Sequence, residues 1–407
     1  MELGLITIMS ALHDKDMIDK SHEELLEGLG KRFILKNIES EDAKEVDMPI
    51  VFIASGGTEE KFMDIYEFLP HPIILLTDGL HNSLAASMEI QTYIKRMDGQ
   101  SEILHGNIEY IENRIKSLYK IFRTRRKIQS SIIGVIGSPS PWLIASHVDY
   151  IKAKKRWGIR YKDIEINNLY KLISDMSVIH AEEVARDFIG KARGIKETNE
   201  KDIVEAAKIY LALKELYKEN SLDAATLRCF DLLDIFNNTG CLALSLLNDD
   251  NFIAGCEGDG QSIFSMYLLK LLTDEIPFMA NPAYIDTDKS EIILAHWTVA
   301  TSITKEYMIR NHFESQIGVG IQGIIEEGPV TIFKCGGVGL DSYFVAEGEI
   351  VDNLENPNRC RTQLKVKMKR NIDYFLRNPI ANHHIIIKGN YVDLIIELMD
   401  KMRCWRV

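Results

Sequence analysis

Phe252-Ile253-Ala254-Gly255-Cys256-Glu257-Gly258-Asp259-Gly260-Gln261-Ser262 is the stretch from which the fold of this chain is read. An apolar run ends in small residues and then delivers two carboxylates two positions apart, and Ile263-Phe264-Ser265-Met266-Tyr267-Leu268-Leu269 follows at once as an amphipathic segment. A buried strand, a tight turn and a helix in that order present an acid at the C-terminal edge of a parallel sheet, where α/β proteins place their ligands. Asn382-His383-His384, near the C-terminus, is read together with it as a source of imidazole. Oxygen ligands with an imidazole suit a divalent cation such as Mn²⁺. The competing reading is that Glu257 and Asp259 only cap the following helix, a position where acids are common.

Upstream of this stretch, short apolar runs alternate with helical patterns, the signature of parallel α/β units. Ile50-Val51-Phe52-Ile53-Ala54 runs into Ser55-Gly56-Gly57-Thr58-Glu59, and Ile73-Ile74-Leu75-Leu76 runs into Thr77-Asp78-Gly79. His81-Asn82-Ser83-Leu84-Ala85 is expected to open a helix through Ile90, and residues 107–130 read as one long charged helix. A second α/β unit starts at Ile132-Ile133-Gly134-Val135-Ile136-Gly137-Ser138-Pro139-Ser140, whose Gly-Ser turn lacks the Lys-Ser/Thr ending of a phosphate loop. Trp142-Leu143-Ile144 after it is expected to pack. Residues 181–218 read as helical, tolerating Gly190 and Gly194.

Beyond about residue 273 the texture changes. Ile292–His296, Val330–Lys334 and Leu364–Met368 are strand-like runs separated by Gly-rich turns rather than helices, which predicts a mainly antiparallel domain. Gly318-Val319-Gly320-Ile321-Gln322-Gly323 matches a dinucleotide-binding glycine pattern in form, but it precedes a strand instead of joining a strand to a helix. The expected division is 1–125, an N-terminal α/β domain; 126–272, a central α/β domain carrying Glu257; and 273–407, a β-rich domain carrying His383.

The length of 407 residues exceeds one ordinary core, and 46% hydrophobic with 27% charged residues is a globular composition. A net charge of −12 argues against nucleic acid as partner, because neutralising phosphates needs clustered Lys and Arg. The basic runs Arg123–Lys127 and Lys365–Arg370 read as solvated faces. Six cysteines show no C-x-x-C pair, so buried thiols in a reducing compartment are expected rather than disulfides. The first residues, Met1-Glu-Leu-Gly-Leu-Ile-Thr-Ile, lack the basic start and apolar core of a signal peptide, and no apolar run reaches the ~20 residues that span a bilayer. The expectation is a cytoplasmic protein without a membrane partner.

Taken in order, Ala254-Gly-Cys-Glu257-Gly-Asp259, Pro277-Phe278-Met279-Ala280, Ala295-His296 and Ala381-Asn382-His383 with Gly389 resemble the L-fucose isomerase superfamily, which includes the L-arabinose isomerases. Leu227-Arg228-Cys229-Phe230, Gly56-Gly57-Thr58-Glu59 and Asn82-Ser83-Leu84-Ala85-Ala86 match more weakly. The resemblance implies α/β architecture: two Rossmann-like (flavodoxin-like) domains followed by a mainly antiparallel β domain. It implies a homo-oligomer, commonly a trimer or hexamer, and Mn²⁺ or another divalent cation held by a Glu, a second acid and a His. The Glu falls on Glu257 and the His on His383. Where the second acid is expected this chain has Asn281, 24 positions beyond Glu257. A neutral amide can coordinate through its oxygen but cannot shuttle a proton.

The expected activity is aldose–ketose isomerisation of a monosaccharide. Glu257 is the expected ligand and base, His383 a ligand, and Asn281 or Asp286 completes the metal shell, Asn281 and Asp286 also standing as catalytic candidates. Asp259, His296, His312, Glu314, Arg361 and His384 are candidates for contact with substrate. His296 is also a candidate metal ligand, and Arg361 is suited to an anionic group on the sugar because a guanidinium meets such groups in a bidentate way. The alternative is a sugar-binding or regulatory protein that keeps the fold and has lost catalysis, for which Asn281 is the main argument.

Overall fold

The computed structural model describes every residue except His13. The chain divides into two compact units, Met1–Arg125 and Arg126–Val407. In the first, β1 (Glu2–Ile8), β2 (Ile34–Asn37), β3 (Pro49–Ile53), β4 (Ile73–Leu76) and β5 (Ser101–Leu104) form a wholly parallel sheet in the order β2-β1-β3-β4-β5. Successive strand residues face opposite sides, so Ile50 and Phe52 join one apolar cluster while Val51 and Ile53 join another. Both faces are covered, which explains why these strands read as unbroken apolar runs. The helix expected to open at His81 begins at Ser83 instead, because His81 and Asn82 take left-handed backbone, φ 50° and 60°.

In the second unit, β6 (Ile132–Ile136), β7 (Arg160–Ile164), β8 (Gly194–Ile195), β9 (Ala224–Leu227) and β10 (Ile253–Cys256) follow in sequence. All but β8 form a second parallel sheet, ordered β10-β9-β6-β7. The expected continuous helical region at 181–218 is broken. Helices Val178–Lys191 and Glu200–Asn220 flank β8, and the side chain of Asn199 caps the second by accepting from Asp202 N. Gly194 therefore lies in a strand, where it pairs with Met308.

The remaining strands are β11 (Phe278–Asp286), β12 (Glu291–His296), β13 (Thr304–Arg310), β14 (Gly320–Ile325), β15 (Gly328–Gly336), β16 (Ser342–Asn353), β17 (Thr362–Met368), β18 (His384–Lys388) and β19 (Trp405–Arg406). β15, β18, β11, β12, β17 and β16 pair antiparallel in that order, and β16 pairs back to β15, closing a barrel. Closure pairs backbone groups that an open edge would leave bare. β14, β13 and β8 make a small separate sheet. Gly320–Gly323 of the glycine pattern is strand, so the pattern is no dinucleotide turn.

The helix Gly260–Thr273, expected to be amphipathic, is buried on every side apart from Lys270 and Leu271. It packs between the β6–β10 sheet and the barrel strands β15 and β18. Its serines are hydrogen-bonded inside the fold: Ser265 Oγ accepts from Cys335 N at 2.9 Å, and Ser262 N donates to Asp259 at 2.8 Å. Sheet and barrel thus share one helix, which fixes the end of β10 against the barrel. Among the described residues no helix is long and apolar enough to cross a membrane.

Candidate metal centre

Glu257 follows β10 directly and takes left-handed backbone, φ 65°, a conformation that costs a side-chain-bearing residue free energy and recurs at functional sites. Gly258 also has positive φ, and a Cβ there would meet Pro139 Cα at 2.7 Å. The turn is pressed against Ser138–Ser140, and Ser140 N donates to the Glu257 carbonyl at 2.9 Å. These contacts aim the Glu257 carboxylate off the strand end.

The barrel supplies two imidazoles to the same point. His296 ends β12 and His383 immediately precedes β18; both are fully buried. One ligand atom from each of Glu257, His296 and His383 lies within 4.8 Å of the others. His383 Nε2 stands 3.6 Å from Glu257 Oε1, too far for a hydrogen bond. Nε2 of both histidines is buried without a hydrogen-bond partner among the described residues. Orphaned buried polar atoms are rare, and two converging on one carboxylate fit the donor set of a divalent cation.

The surroundings fix how these rings are oriented. His383 Nδ1 donates to Asp259 Oδ2 at 2.9 Å, which directs the Nε2 lone pair at Glu257. His296 Nδ1 meets Thr298 Oγ1 at 3.0 Å. Burial, then the charge of His383, pushes His296 down to about 3, so that ring is neutral at neutral pH. Burial works to lower His383, but Asp259 and Glu257 outweigh it and raise that ring. Burial would likewise raise Glu257, yet His383 and the indole of Trp142 hold its carboxyl below the usual range. Trp142 Nε1 donates to Glu257 Oε2 at 2.6 Å, leaving Oε1 for the histidines.

Asp259 fills the capping role read from the sequence and adds a second one. It caps the following helix through Ser262 N, and it orients His383. It is fully buried and faces Lys334 Nζ at 3.6 Å, itself fully buried on β15. Lys334 donates to Ser262 Oγ at 2.8 Å, and Ser262 Oγ donates on to Asp259 at 2.6 Å. Against the cost of burial, Lys334 and His383 hold Asp259 well below the usual carboxylate range.

The other expected residues divide. Asn281 lies on β11, paired with Ala295 and therefore beside His296, and its Oδ1 accepts from Asn382 at 3.2 Å. Asp286 is not brought to the cluster: it sits at the far end of β11, accepting from Lys289 N at 3.0 Å in the hairpin turn. His384 is tied to Tyr374 Oη and the Asn382 carbonyl, both at 3.0 Å, and is packed by Phe344 and Phe375. Arg361 Nε and Nη2 donate to Asn311 O and Oδ1, and Nη2 lies 3.3 Å from Glu197. His312 packs on Trp297 with ring centroids 4.3 Å apart, and Glu314 lies 3.9 Å from His312 Nε2. Burial, then Arg361, pushes His312 down to about 4.

Trp142 and Lys334 were not legible as site residues. Trp142 read as packing, and Lys334 only as the last residue of a strand-like run. A lysine between Phe333 and Cys335 was the available signal, since strand alternation gives no register without a partner.

No protein-family model matches the chain. It is similar to sulfoquinovose isomerase of Alkalicoccus urumqiensis, 22% identical over 300 residues that cover 70% of this chain and 66% of that protein, just under two thirds of its length. The chain is thus a distant relative of a sugar isomerase. That similarity does not single out the fucose and arabinose isomerases.

Proposed function

We propose that this protein is a divalent-metal-dependent aldose–ketose isomerase acting on a monosaccharide. The carrying observation is the convergence of Glu257, His296 and His383, with two buried Nε2 atoms lacking hydrogen-bond partners among the described residues. Glu257 Oε1 and the two Nε2 atoms would hold the cation, with Asn281 adjacent. Mixed oxygen and imidazole donors suit Mn²⁺ among other first-row ions. When bound, such a cation supplies Lewis-acid stabilisation of the enediolate that forms as the proton beside the carbonyl leaves.

This chain's own groups would perform the rest. Glu257, ionised at neutral pH, accepts the proton from the carbon beside the carbonyl and returns it to the neighbouring carbon. Trp142 orients that carboxylate by binding Oε2. Asp259 keeps the His383 proton on Nδ1. The relative named above acts on sulfoquinovose, a sulfonated sugar, so an anionic hexose is the first substrate to try.

The test is turnover of an aldose panel that includes 6-sulfonated glucose, with Mn²⁺, followed by proton exchange with solvent. Glu257→Gln is expected to lower kcat by about 10³-fold or more, within the range of a lost general base and ligand. Full turnover in that variant would overturn the mechanism. The non-catalytic reading is favoured by one observation, the amide of Asn281 in place of an acid. Sugar binding by the Mn²⁺-loaded protein without proton exchange would establish it.

A further inference from the structure

We propose that Trp142 is a movable cover over the metal centre, and that the turn Ser140–Leu143 swings it aside to admit the cation and the sugar. The inference rests on the metal reading of Glu257, His296 and His383.

A ligand has to reach these three side chains, and they scarcely meet solvent: His296 and His383 are 0% exposed and Glu257 is 5% exposed. Trp142 joins the centre to the outside. Its Nε1 donates to Glu257 Oε2 at 2.6 Å, while 52% of the residue is exposed. Phe230 flanks the indole edge-on at 5.2 Å. A ring that touches the inner carboxylate on one side and water on the other lies across the way in.

The backbone that carries Trp142 is suited to moving as a short piece. Thirteen residues, 137–149, link β6 to the helix Tyr150–Trp157 without helix or strand of their own. Connections of that length inside a compact domain are commonly lids or binding loops. This one is tied down on both sides of Trp142. Before it, Gly137 N donates to Ile164 O and Ser140 N to Glu257 O, both at 2.9 Å. After it, the Gln261 amide donates to Ala145 O and His147 O, both at 3.2 Å, and Asp149 N donates to Val338 O at 2.7 Å.

Between these anchors Ser140-Pro141-Trp142-Leu143 makes a turn, closed by Leu143 N donating to Ser140 O at 3.0 Å. Proline occupies the second position, where its fixed φ favours a turn. Among the described residues, the only other hydrogen bond formed by residues 141–144 is that of the indole to Glu257. Leu143 is buried, whereas Ile144 lies almost wholly in water. One hydrogen bond and one buried side chain therefore hold the cover shut. A segment with so few buried contacts and a solvent-facing backbone opens at low free-energy cost.

Closure has a chemical use. With the indole in place the Glu257 carboxylate is aligned and water is kept from the enediolate. With the indole swung out, Oε2 and the centre behind it are open to solvent. Reclosure behind the sugar returns the N–H to the carboxylate.

The test is Mn²⁺ exchange in wild type, Leu143→Ala, Trp142→Phe and Trp142→Ala, with stopped-flow uptake and chelator-driven release read by a metal indicator dye. Leu143→Ala loosens the turn and keeps the indole bond. Its uptake and release should each rise about fivefold or more with Kd within about twofold of wild type, because opening lies on the path in both directions. Trp142→Ala removes the cover and should raise uptake about tenfold or more, with Trp142→Phe, which keeps a ring and loses the bond, in between. Faster release with unchanged uptake in Leu143→Ala and Trp142→Ala would mean that Trp142 only orients Glu257, and overturns the cover. Rates close to wild type in both variants, with Mn²⁺ still bound, would place the entrance elsewhere, past Asn281 and Asn382; that also overturns the cover and leaves the centre standing. A wild type that binds no Mn²⁺ removes the centre and the cover with it. Turnover plays no part in the readout, so failure of the isomerase reading is told apart from failure of the cover.

Discussion

Replacing Asp259 by Asn isolates the electrostatic part of the site with little change of shape. The amide still offers an oxygen to Ser262 N, so the helix cap survives. What is lost is the charge opposite Lys334, 3.6 Å away, with both side chains wholly excluded from solvent, and with it the Oδ2 that accepts from His383 Nδ1 and Ser262 Oγ. Removing one partner of a buried ion pair costs about 3–5 kcal/mol, because the survivor stays buried and uncompensated. In a unit of this size each kcal/mol lowers Tm by roughly 2 °C, giving a fall of roughly 6–10 °C for Asp259→Asn. Lys334→Met should cost less, since His383 can still offset the Asp259 charge. The double variant removes the lone ammonium, so its loss should be at least about 2 kcal/mol smaller than the two single losses added together, the coupling expected of residues in contact. Metal-free protein, denaturant unfolding and calorimetry supply all four corners of the cycle. A fall below 2 °C for Asp259→Asn, or additive single and double variants, would refute the view that Lys334 and Asp259 act as a pair.

Two further outcomes are expected. Mn²⁺ at about 100 times its Kd should stabilise the protein by about 2.7 kcal/mol through mass action, and chelation should reverse the gain; the shift should disappear in His296→Leu, and its persistence there would remove His296 from the centre. The Glu197 carboxyl, held below its usual range chiefly by the hydrogen bonds from Arg310, contributes stability that is present above the ordinary carboxylate pKa and lost as pH falls through the depressed one. Glu197→Gln should therefore flatten the acid limb of the stability curve below about pH 4, and an unchanged limb in a pH series of thermal melts would contradict that.

The local pattern of the chain specified much of this protein. Apolar runs ending in Gly, Ser and Asp fixed the parallel units, because a strand buried on both faces must be apolar throughout. Gly-rich turns between Ile292, Val330 and Leu364 marked the antiparallel region for the converse reason, that hairpins need tight turns and no helices. Glu257 was legible because strand, acid and helix are consecutive in sequence. The break at Gly194 and the burial of the helix Gly260–Thr273 were not, since each depends on a partner: β13 for the first, the barrel for the second.

The site shows the same division. Asp259 and His383 are 124 positions apart, and no spacing rule joins them. Only packing of the shared helix against the closed barrel brings His383 to Asp259, Lys334 to Ser262 and His296 to Glu257. The sequence thus named the donors, because chemistry resides in residue type. Tertiary structure chose among them: Asp259 turned inward to a histidine, Asp286 was held in a turn, and His296 was left with a bare nitrogen beside Glu257. The physical reason is that ligation depends on distances between strand ends, which closure of the barrel sets and local sequence does not.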